Sequence, residues 1–392
     1  MVVFAGLVVV IQLVFLFALW RELGKLKRIP KRVHGSALPR VSVVIPAFDE
    51  ERNIEACVRS VAAQFDGGSI SGSIVIVDDR SVDSTPEIAR RLQLEFPELV
   101  RVLRTEERPQ TPKFHGKNWA CWSAMRTVED PYVVFLDADV RLKGGALERT
   151  LGQAVAEQTD LLSIVPAIVC GCLSERLVQP VLITVMGALF RAAEVNDPNS
   201  EHAFAVGPFL LFRRDFYNRI GGHFAVAGEV VEDVALAKAT KANRGILRLY
   251  SGTDLASLRM YHSFSQLWEG WTKNIFLGLE KSLVRAGLTI FAILMLFVFP
   301  FFLLLVAFAG ALDAGVRGDV PTSTSATLYF AYGSVALVYA FRMIVWLRLK
   351  MSPLLIWATP VGGILVALLV IDSARRVLTK RHWTWKGRSL AN

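Results

Sequence analysis

Apolar residues fall along this chain in three patterns, and each predicts a different kind of element. Long charge-free runs occupy both ends: Met1–Trp20, then Ala286–Leu312, Val320–Phe341 and Met351–Ile371. A helix of about 20 apolar residues is what crossing the hydrocarbon core of a bilayer requires. Between these runs, short β-rich stretches alternate with stretches of helical spacing. Val41–Ile45 (closed by Pro46), Ser73–Val77, Val100–Leu103 and Tyr132–Leu136 read as strands. Asn53–Gln64, with Ile54, Val58 and Val61 on one side, reads as a helix, as do Ser84–Phe96 and Trp119–Val128. Ser84 is placed to cap the second of these, with Pro86 in its first turn. Such alternation implies an α/β domain with a doubly wound, Rossmann-like, mainly parallel sheet. The third pattern is amphipathic and covers residues 263–285, where Trp268 and Trp271 fit interfacial anchors. The expected organisation is an anchor at 1–20, an α/β domain at 40–262 and an interfacial segment at 263–285. A membrane region of two or three spans follows at 286–372, and a basic aromatic tail at 373–392.

Composition supports a membrane protein. Apolar residues make up 53% and charged residues 20% of the chain, more apolar and less charged than is usual for soluble domains. No cationic stretch precedes Met1–Trp20 and no small-residue cleavage site follows it, so it reads as an uncleaved anchor. Arg21, Lys25, Lys27, Arg28, Lys31, Arg32 and Arg40 come immediately after. By the positive-inside rule that flank is cytoplasmic, which puts the α/β domain on the cytoplasmic side of the cell membrane. The net charge of +9 does not point to nucleic acid, because the cations cluster beside apolar spans, where they suit anionic headgroups.

The last run poses a conflict. Strict alternation puts the tail outside, whereas Arg375, Arg376, Lys380, Arg381, Lys386 and Arg388 favour the cytoplasm. Pro360-Val-Gly-Gly363 interrupts Met351–Ile371, and a broken or re-entrant segment would leave the tail cytoplasmic. Cys57, Cys121, Cys170 and Cys172 show no paired metal spacing and read as structural, reduced cysteines.

Polar loops hang from the predicted strand ends. Val133-Val-Phe-Leu runs into Asp137-Ala-Asp139, and alternation along an extended chain puts both carboxylates on one face. Open α/β sheets bind ligands outside the carboxyl ends of their strands, and hard divalent cations bridging phosphates want carboxylate oxygens. The pair therefore suits Mg²⁺ or Mn²⁺ held against a diphosphate; a solvated acidic turn is the bland alternative. The other loops carry Asp49-Glu50, Asp78-Asp79 with Asp83, and Gly116-Lys117. Neither a P-loop nor a Gly-X-Gly-X-X-Gly dinucleotide pattern is present.

Taken in order, Val43-Val-Ile-Pro46-Ala-Phe-Asp-Glu-Glu51, Val75-Ile-Val-Asp78-Asp79-Arg-Ser-Val-Asp83, Gly116-Lys117 and Phe135-Leu-Asp137-Ala-Asp139 resemble glycosyltransferase family 2. Gly207-Pro-Phe-Leu-Leu-Phe-Arg213-Arg214, Ile220-Gly-Gly-His223 and Glu229-Val-Val-Glu232-Asp233 extend the resemblance to about residue 240. The resemblance implies a GT-A fold and inverting transfer from a nucleotide-sugar. It maps Asp49 and Asp79 onto contacts to the uracil and ribose of a UDP-sugar, and Asp137 and Asp139 onto the metal and donor pair. It maps Asp233 onto the catalytic base, while acids at a helix N-terminus are the plain reading of Glu232-Asp233. Lys117 would neutralise the diphosphate. His223 fits either an acceptor contact or a structural histidine.

One departure from the family pattern stands out. Membrane-bound members often carry Gln-X-X-Arg-Trp, whereas Gln266-Leu-Trp268-Glu-Gly-Trp271 here has no Arg-Trp and is one residue too long. Trp271 is expected to close over the donor or stack against an acceptor sugar, or else to anchor at the interface with Trp268. The tail Trp383-Thr-Trp385-Lys-Gly-Arg388 resembles endings in hopanoid-associated and carotenoid-type members. The expected activity is metal-dependent transfer of a single sugar to a lipid acceptor in the bilayer, closest to the hopanoid-associated and ceramide glucosyltransferase-like subgroup. A processive polysaccharide synthase is the alternative enzyme, and a catalytically silent membrane scaffold or lipid-binding protein the alternative outside catalysis.

Overall fold

The computed structural model describes residues 1–31, 37–109, 111–318 and 321–379, with the backbone of 383–385 and 388–390. Arg32, Lys380, Arg381 and Lys386 lie outside the described residues. The chain divides into two compact units: Leu26–Val169 with Arg191–Met260, and Met1–Lys25 with Cys170–Phe190 and the chain from Tyr261 onward.

The first unit is built on one eight-stranded sheet. Its strands are β1 (Val41–Ala47), β2 (Gly72–Asp78), β3 (Val100–Arg104), β4 (Tyr132–Leu136), β5 (Val140–Leu142), β6 (Leu161–Ile168), β7 (Phe209–Arg213) and β8 (Leu247–Leu258). They lie in the order β3-β2-β1-β4-β7-β6-β8-β5. β1 pairs in parallel with both β2 and β4, β2 with β3, and β6 with β8. β7 runs antiparallel to β4 and β6, and β5 antiparallel to β8. The sheet is thus mixed and mainly parallel, as the alternation predicted.

The chain leaves β1 for β2 and β3 on one side, then returns to β4 on the other. The carboxyl ends of β1 and β4 therefore flank a topological switch point, where open α/β sheets place their ligand crevice. Helix Ile54–Ala62 buries Ile54, Cys57, Val58 and Val61 at helical spacing against this sheet. One local expectation fails. Ser84 sits at the start of helix Thr85–Glu95 but makes no side-chain cap bond; Asp83 Oδ1 accepts from the Thr85 N–H instead, at 2.9 Å. The next helix opens at Gly116, earlier than Trp119.

The second unit is helical. Four helices are long and apolar enough to span a membrane: Val2–Lys25, Leu283–Val316, Thr322–Leu349 and Ile356–Leu378. Each overlaps one predicted run and reaches past its C-terminal end; the last begins at Ile356, five residues into the run that starts at Met351. Leu283–Val316 contains a π-helical turn at Leu294–Val298, and the Leu296 carbonyl accepts from Gln12 Nε2 at 3.2 Å. Ser334 Oγ donates to Gln12 Oε1 in turn, so these buried polar groups find partners inside the protein, as an apolar surround demands.

Pro360 does not interrupt the last helix; it lies in the first turn of Thr359–Leu378, where a missing N–H costs nothing. Gly362 and Gly363 are packing residues. A Cβ on Gly362 would lie 2.2 Å from the Leu177 carbonyl oxygen, and one on Gly363 2.9 Å from Val298 Cγ2. The predicted interfacial stretch is helix Phe264–Gly278 followed by a turn. The apolar helix Leu173–Leu189, read from sequence as part of the α/β domain, groups with this helical unit.

Candidate functional site

The loops after β1 and β2 are tied to each other. Asp49 has a positive φ of 50°; its Oδ1 accepts from Val82 N–H at 2.9 Å, and its own N–H donates to Ser81 Oγ at 3.0 Å. Asp78 Oδ1 accepts from Ser81 N–H at 2.9 Å. Asp83 Oδ2 accepts from Glu51 N–H at 3.0 Å. Asp79 is buried, its Oδ1 accepting from the Thr105 hydroxyl at 2.9 Å and its Oδ2 lying 3.6 Å from Arg108. The backbone of Gly116 passes so close that a Cβ there would sit 2.9 Å from Asp79 Oδ2. That contact brings the start of helix Gly116–Met125, and Lys117 with it, to the end of β2.

Lys117 joins the two halves of the site. Its Nζ lies 2.6 Å from Asp137 Oδ1 and 2.7 Å from Glu232 Oε1. Burial works against the ammonium, but the two carboxylates outweigh it and hold the lysine charged. Burial also disfavours both carboxylates. At Glu232 the lysine wins and the acid is lowered, whereas at Asp137 burial wins and the acid is raised. Asp137 is further placed by its N–H, which donates to the Pro208 carbonyl at 3.1 Å.

Asp139 is in a different condition. Its Oδ1 is buried with no hydrogen-bond partner, and burial, then Asp137 and Glu50, pushes the group up to about 8. A buried carboxylate oxygen without a donor, crowded by two further acids, fits a divalent cation. Among the described residues no group of three or more His, Cys, Asp or Glu side chains is arranged to hold a metal. A two-carboxylate seat of this kind suits Mg²⁺ or Mn²⁺ that takes its remaining ligands from water and substrate phosphates.

Asp233 stands beside Glu232 in the first turn of helix Glu232–Ala242. Its Oδ2 accepts from Gly207 N–H at 2.7 Å and its Oδ1 from Val234 N–H at 2.8 Å. Gly207 is needed for this approach, since a Cβ there would lie 2.9 Å from Asp233 Oδ2. Burial, then the neighbouring Glu232 charge, pushes Asp233 up to about 7, a value matched to proton transfer near neutral pH.

Residues 42–221 match the family profile "Glycosyl transferase family 2". This segment is similar to family 2 glycosyltransferases. A 4,4'-diaponeurosporenoate glycosyltransferase of Staphylococcus haemolyticus is 28% identical over 257 residues, covering 64% of this chain and 65% of its own length. One of the same name from Staphylococcus aureus is 27% identical over 242 residues, covering 61% of each. The chain thus spans a little under two thirds of these relatives. Among solved structures, a mannosyltransferase from Pyrobaculum calidifontis, in complex with GDP-Man and Mn²⁺, covers 95% of this chain and 99% of its own. It shares 18% identity at a TM-score of 0.48. Glucosyl-3-phosphoglycerate synthase from Mycobacterium tuberculosis covers 62% and 82%, with 19% identity and a TM-score of 0.40.

Within the first unit the strand-end loops bring Asp79 to Lys117, Lys117 to Asp137 and Glu232, and Asp233 to the segment before β7. Trp271 belongs to helix Phe264–Gly278 of the helical unit, where it is buried with its ring 6.5 Å from Tyr261. Gln266 is engaged in capping that helix: its N–H donates to Ser263 Oγ and its Oε1 accepts from His262 N–H.

Other residues escaped the sequence reading. Asn118 Nδ2 donates to the carbonyls of Val226, Ala227 and Glu229, pinning the loop that leads to Glu232-Asp233. Tyr217 holds His223: its hydroxyl accepts from His223 N–H at 3.0 Å and lies 2.8 Å from Nδ1. Burial drops the imidazole to about 3, so it is neutral. His223 Nε2 is buried without a hydrogen-bond partner. No spacing in the sequence announces either contact, although His223 and Gly222 are motif residues and a Cβ on Gly222 would lie 2.2 Å from the Tyr217 ring.

Proposed function

We propose that this protein is a membrane-integrated, inverting glycosyltransferase that moves one sugar from a nucleotide-sugar to a lipid acceptor. The donor is read as a UDP-sugar, bound by Asp49 and Asp79, and transfer takes place at the cytoplasmic face of the cell membrane. The observation that carries this reading is the grouping of Asp137, Asp139, Lys117, Glu232 and Asp233. A diphosphate seat and a base of raised affinity for protons stand in one charge cluster. Support for a lipid acceptor comes from the four apolar helices and from relatives named for 4,4'-diaponeurosporenoate.

The acceptor oxygen attacks the anomeric carbon as the bond to the diphosphate oxygen breaks, and the acceptor's proton passes to the Asp233 carboxylate. The Gly207 and Val234 N–H groups hold that carboxylate in place through the transfer. Lys117, already between Asp137 and Glu232, offers its ammonium to the departing diphosphate. Mg²⁺ or Mn²⁺ held by Asp137 and Asp139 supplies further positive charge to the leaving group when bound. Trp271 stays a proposed donor contact.

Incubating membranes that contain the protein with labelled nucleotide-sugars, then analysing extracted lipid, tests the reading. One added sugar, dependent on Mn²⁺ or Mg²⁺ and lost in Asp233→Asn, is expected. A ladder of products would make it a polysaccharide synthase instead. Equal products from wild type and Asp233→Asn would remove the assigned base.

A further inference from the structure

Helix Thr322–Leu349 buries one stripe inside its unit: Val338, Phe341, Arg342, Val345 and Leu349 recur at three- and four-residue spacing. All but one are apolar. The exception, Arg342, is 3% exposed, and its Nη2 is buried with no hydrogen-bond partner. Among the described residues it makes no ion pair with an acid.

Charge could have been kept out of this stripe easily. Met343, Trp346 and Leu347, immediately beside it, face outward, and Arg348 on the same helix is exposed. A cation in a spanning helix is costly unless it reaches the interface or finds a partner. Among the described residues Arg342 Nη2 finds no partner, and the side chain sits on the protein side rather than the outward side.

The surroundings are polar on one flank. Cys170 lies near enough for both Arg342 and Glu175 to act on its thiol. Glu175 commits Oε2 to the N–H groups of Gly171 and Cys172, at 2.7 and 3.0 Å, capping helix Leu173–Leu189. The guanidinium fork is built for a planar or tetrahedral oxyanion, which it meets with two parallel hydrogen bonds.

We propose that Arg342 anchors the anionic head, carboxylate or phosphate, of a membrane amphiphile whose apolar tail stays in the bilayer. This rests on the lipid-acceptor reading above and deepens it, since an acceptor held by its head would be held in one orientation. An anionic phospholipid bound as a resident cofactor offers the same chemistry, and the two sources separate by experiment.

Binding is measured on the full-length protein in neutral-detergent micelles without any nucleotide-sugar. The probes are oleate, dioleoyl phosphatidate and oleyl alcohol; the proteins are wild type, Arg342→Gln, Arg342→Lys and Arg348→Gln. Wild type should bind at least one anion about 10–100-fold more tightly than the alcohol, the scale of hydrogen bonds to a charged group. Arg342→Gln should bring that anion to the affinity of the alcohol, Arg342→Lys should retain part of the difference, and Arg348→Gln should match wild type. Preference for oleate marks a carboxylate site and preference for phosphatidate a phosphate site.

Wild type with no preference for either anion overturns the proposal, whether or not the variants fold. So does an Arg342→Gln protein that keeps the preference. Because no sugar transfer is measured, failure of the glycosyltransferase reading leaves this result standing, and the reverse holds equally.

Discussion

The acids after β2 and those around Lys117 are built from the same residue types, yet in the second group burial and neighbouring acids push Asp139 and Asp233 up. Asp78, Asp79 and Asp83 accept from Ser81 N–H, the Thr105 hydroxyl, Glu51 N–H and Thr85 N–H. Their charge is spent holding two loops in register. Asp139 has a buried oxygen with no donor and is pushed up to about 8; Asp233 sits at about 7 despite two N–H donors. Charge that the fold leaves uncompensated is charge available to a metal, a diphosphate or a proton. The first group makes the shape of the site, and the second is prepared for its chemistry.

The sharpest way to break this contrast is Asp233→Asn. Transfer should fall by about 10²–10⁴, the range for a lost general base, measured as initial rate of lipid glycosylation with donor binding retained. If Asp233 is the base proposed above, the rising limb of kcat/KM against pH in wild type should centre near 7, with activity falling as pH drops through that value. Stability moves the other way. The folded carboxyl binds its proton more tightly than the ordinary value of 3.8, so ionising it costs folding free energy as pH rises from 3.8 towards 7. Thermal unfolding of Asp233→Asn should lack that part of the decline.

Gly207→Ala leaves every charge in place and moves one. Its Cβ would meet Asp233 Oδ2 at 2.9 Å. A displaced base can cost about 10²-fold, read in kcat with the pH midpoint shifted once the Gly207 N–H bond is lost. Unchanged kcat would show that the position of Asp233 is not tuned.

Gly222→Ala tests the packing beneath the site, where φ is +48° and a Cβ would strike Tyr217. Strain and overpacking together should cost about 1–3 kcal/mol, seen as a lower unfolding midpoint. Asp83→Ala, from the compensated group, should cost only about 1 kcal/mol for its hydrogen bonds. It should leave the pH midpoint near 7 untouched. A large pH shift there would erase the distinction between the two groups of acids.

Much of this was legible in the order of residues. The β4 run ends where its apolar residues end, and the motif acids at β1, β2 and β4 follow strand ends that alternation alone located. The edges were less legible for physical reasons. Asp83 took over the cap at Thr85 because loop geometry, rather than residue preference, decides which side chain reaches a free N–H. Pro360-Val-Gly-Gly363 reads as a break, but proline is tolerated in a first turn, and the two glycines answer to neighbouring helices that a local pattern cannot register. The charge-free run ending at Phe341 stopped at Arg342, although the helix continues to Leu349. Arg342, at the edge of an apolar run and ahead of Arg348 and Lys350, was the available signal.

Sequence by itself determined the local facts: strands and helices from periodicity, spans from uninterrupted apolar length, and an acid pair on one face of a strand end. These follow from backbone geometry and hydrophobicity, which act over a few residues. Tertiary structure alone decided that Lys117 bridges Asp137 and Glu232, that Gly207 presents its N–H to Asp233, and that Asp139 is left without a donor. It also decided that Arg342 turns inward. Each of these depends on burial and on partners far away in the chain, and electrostatic energy is set by distance through space and by exclusion of water.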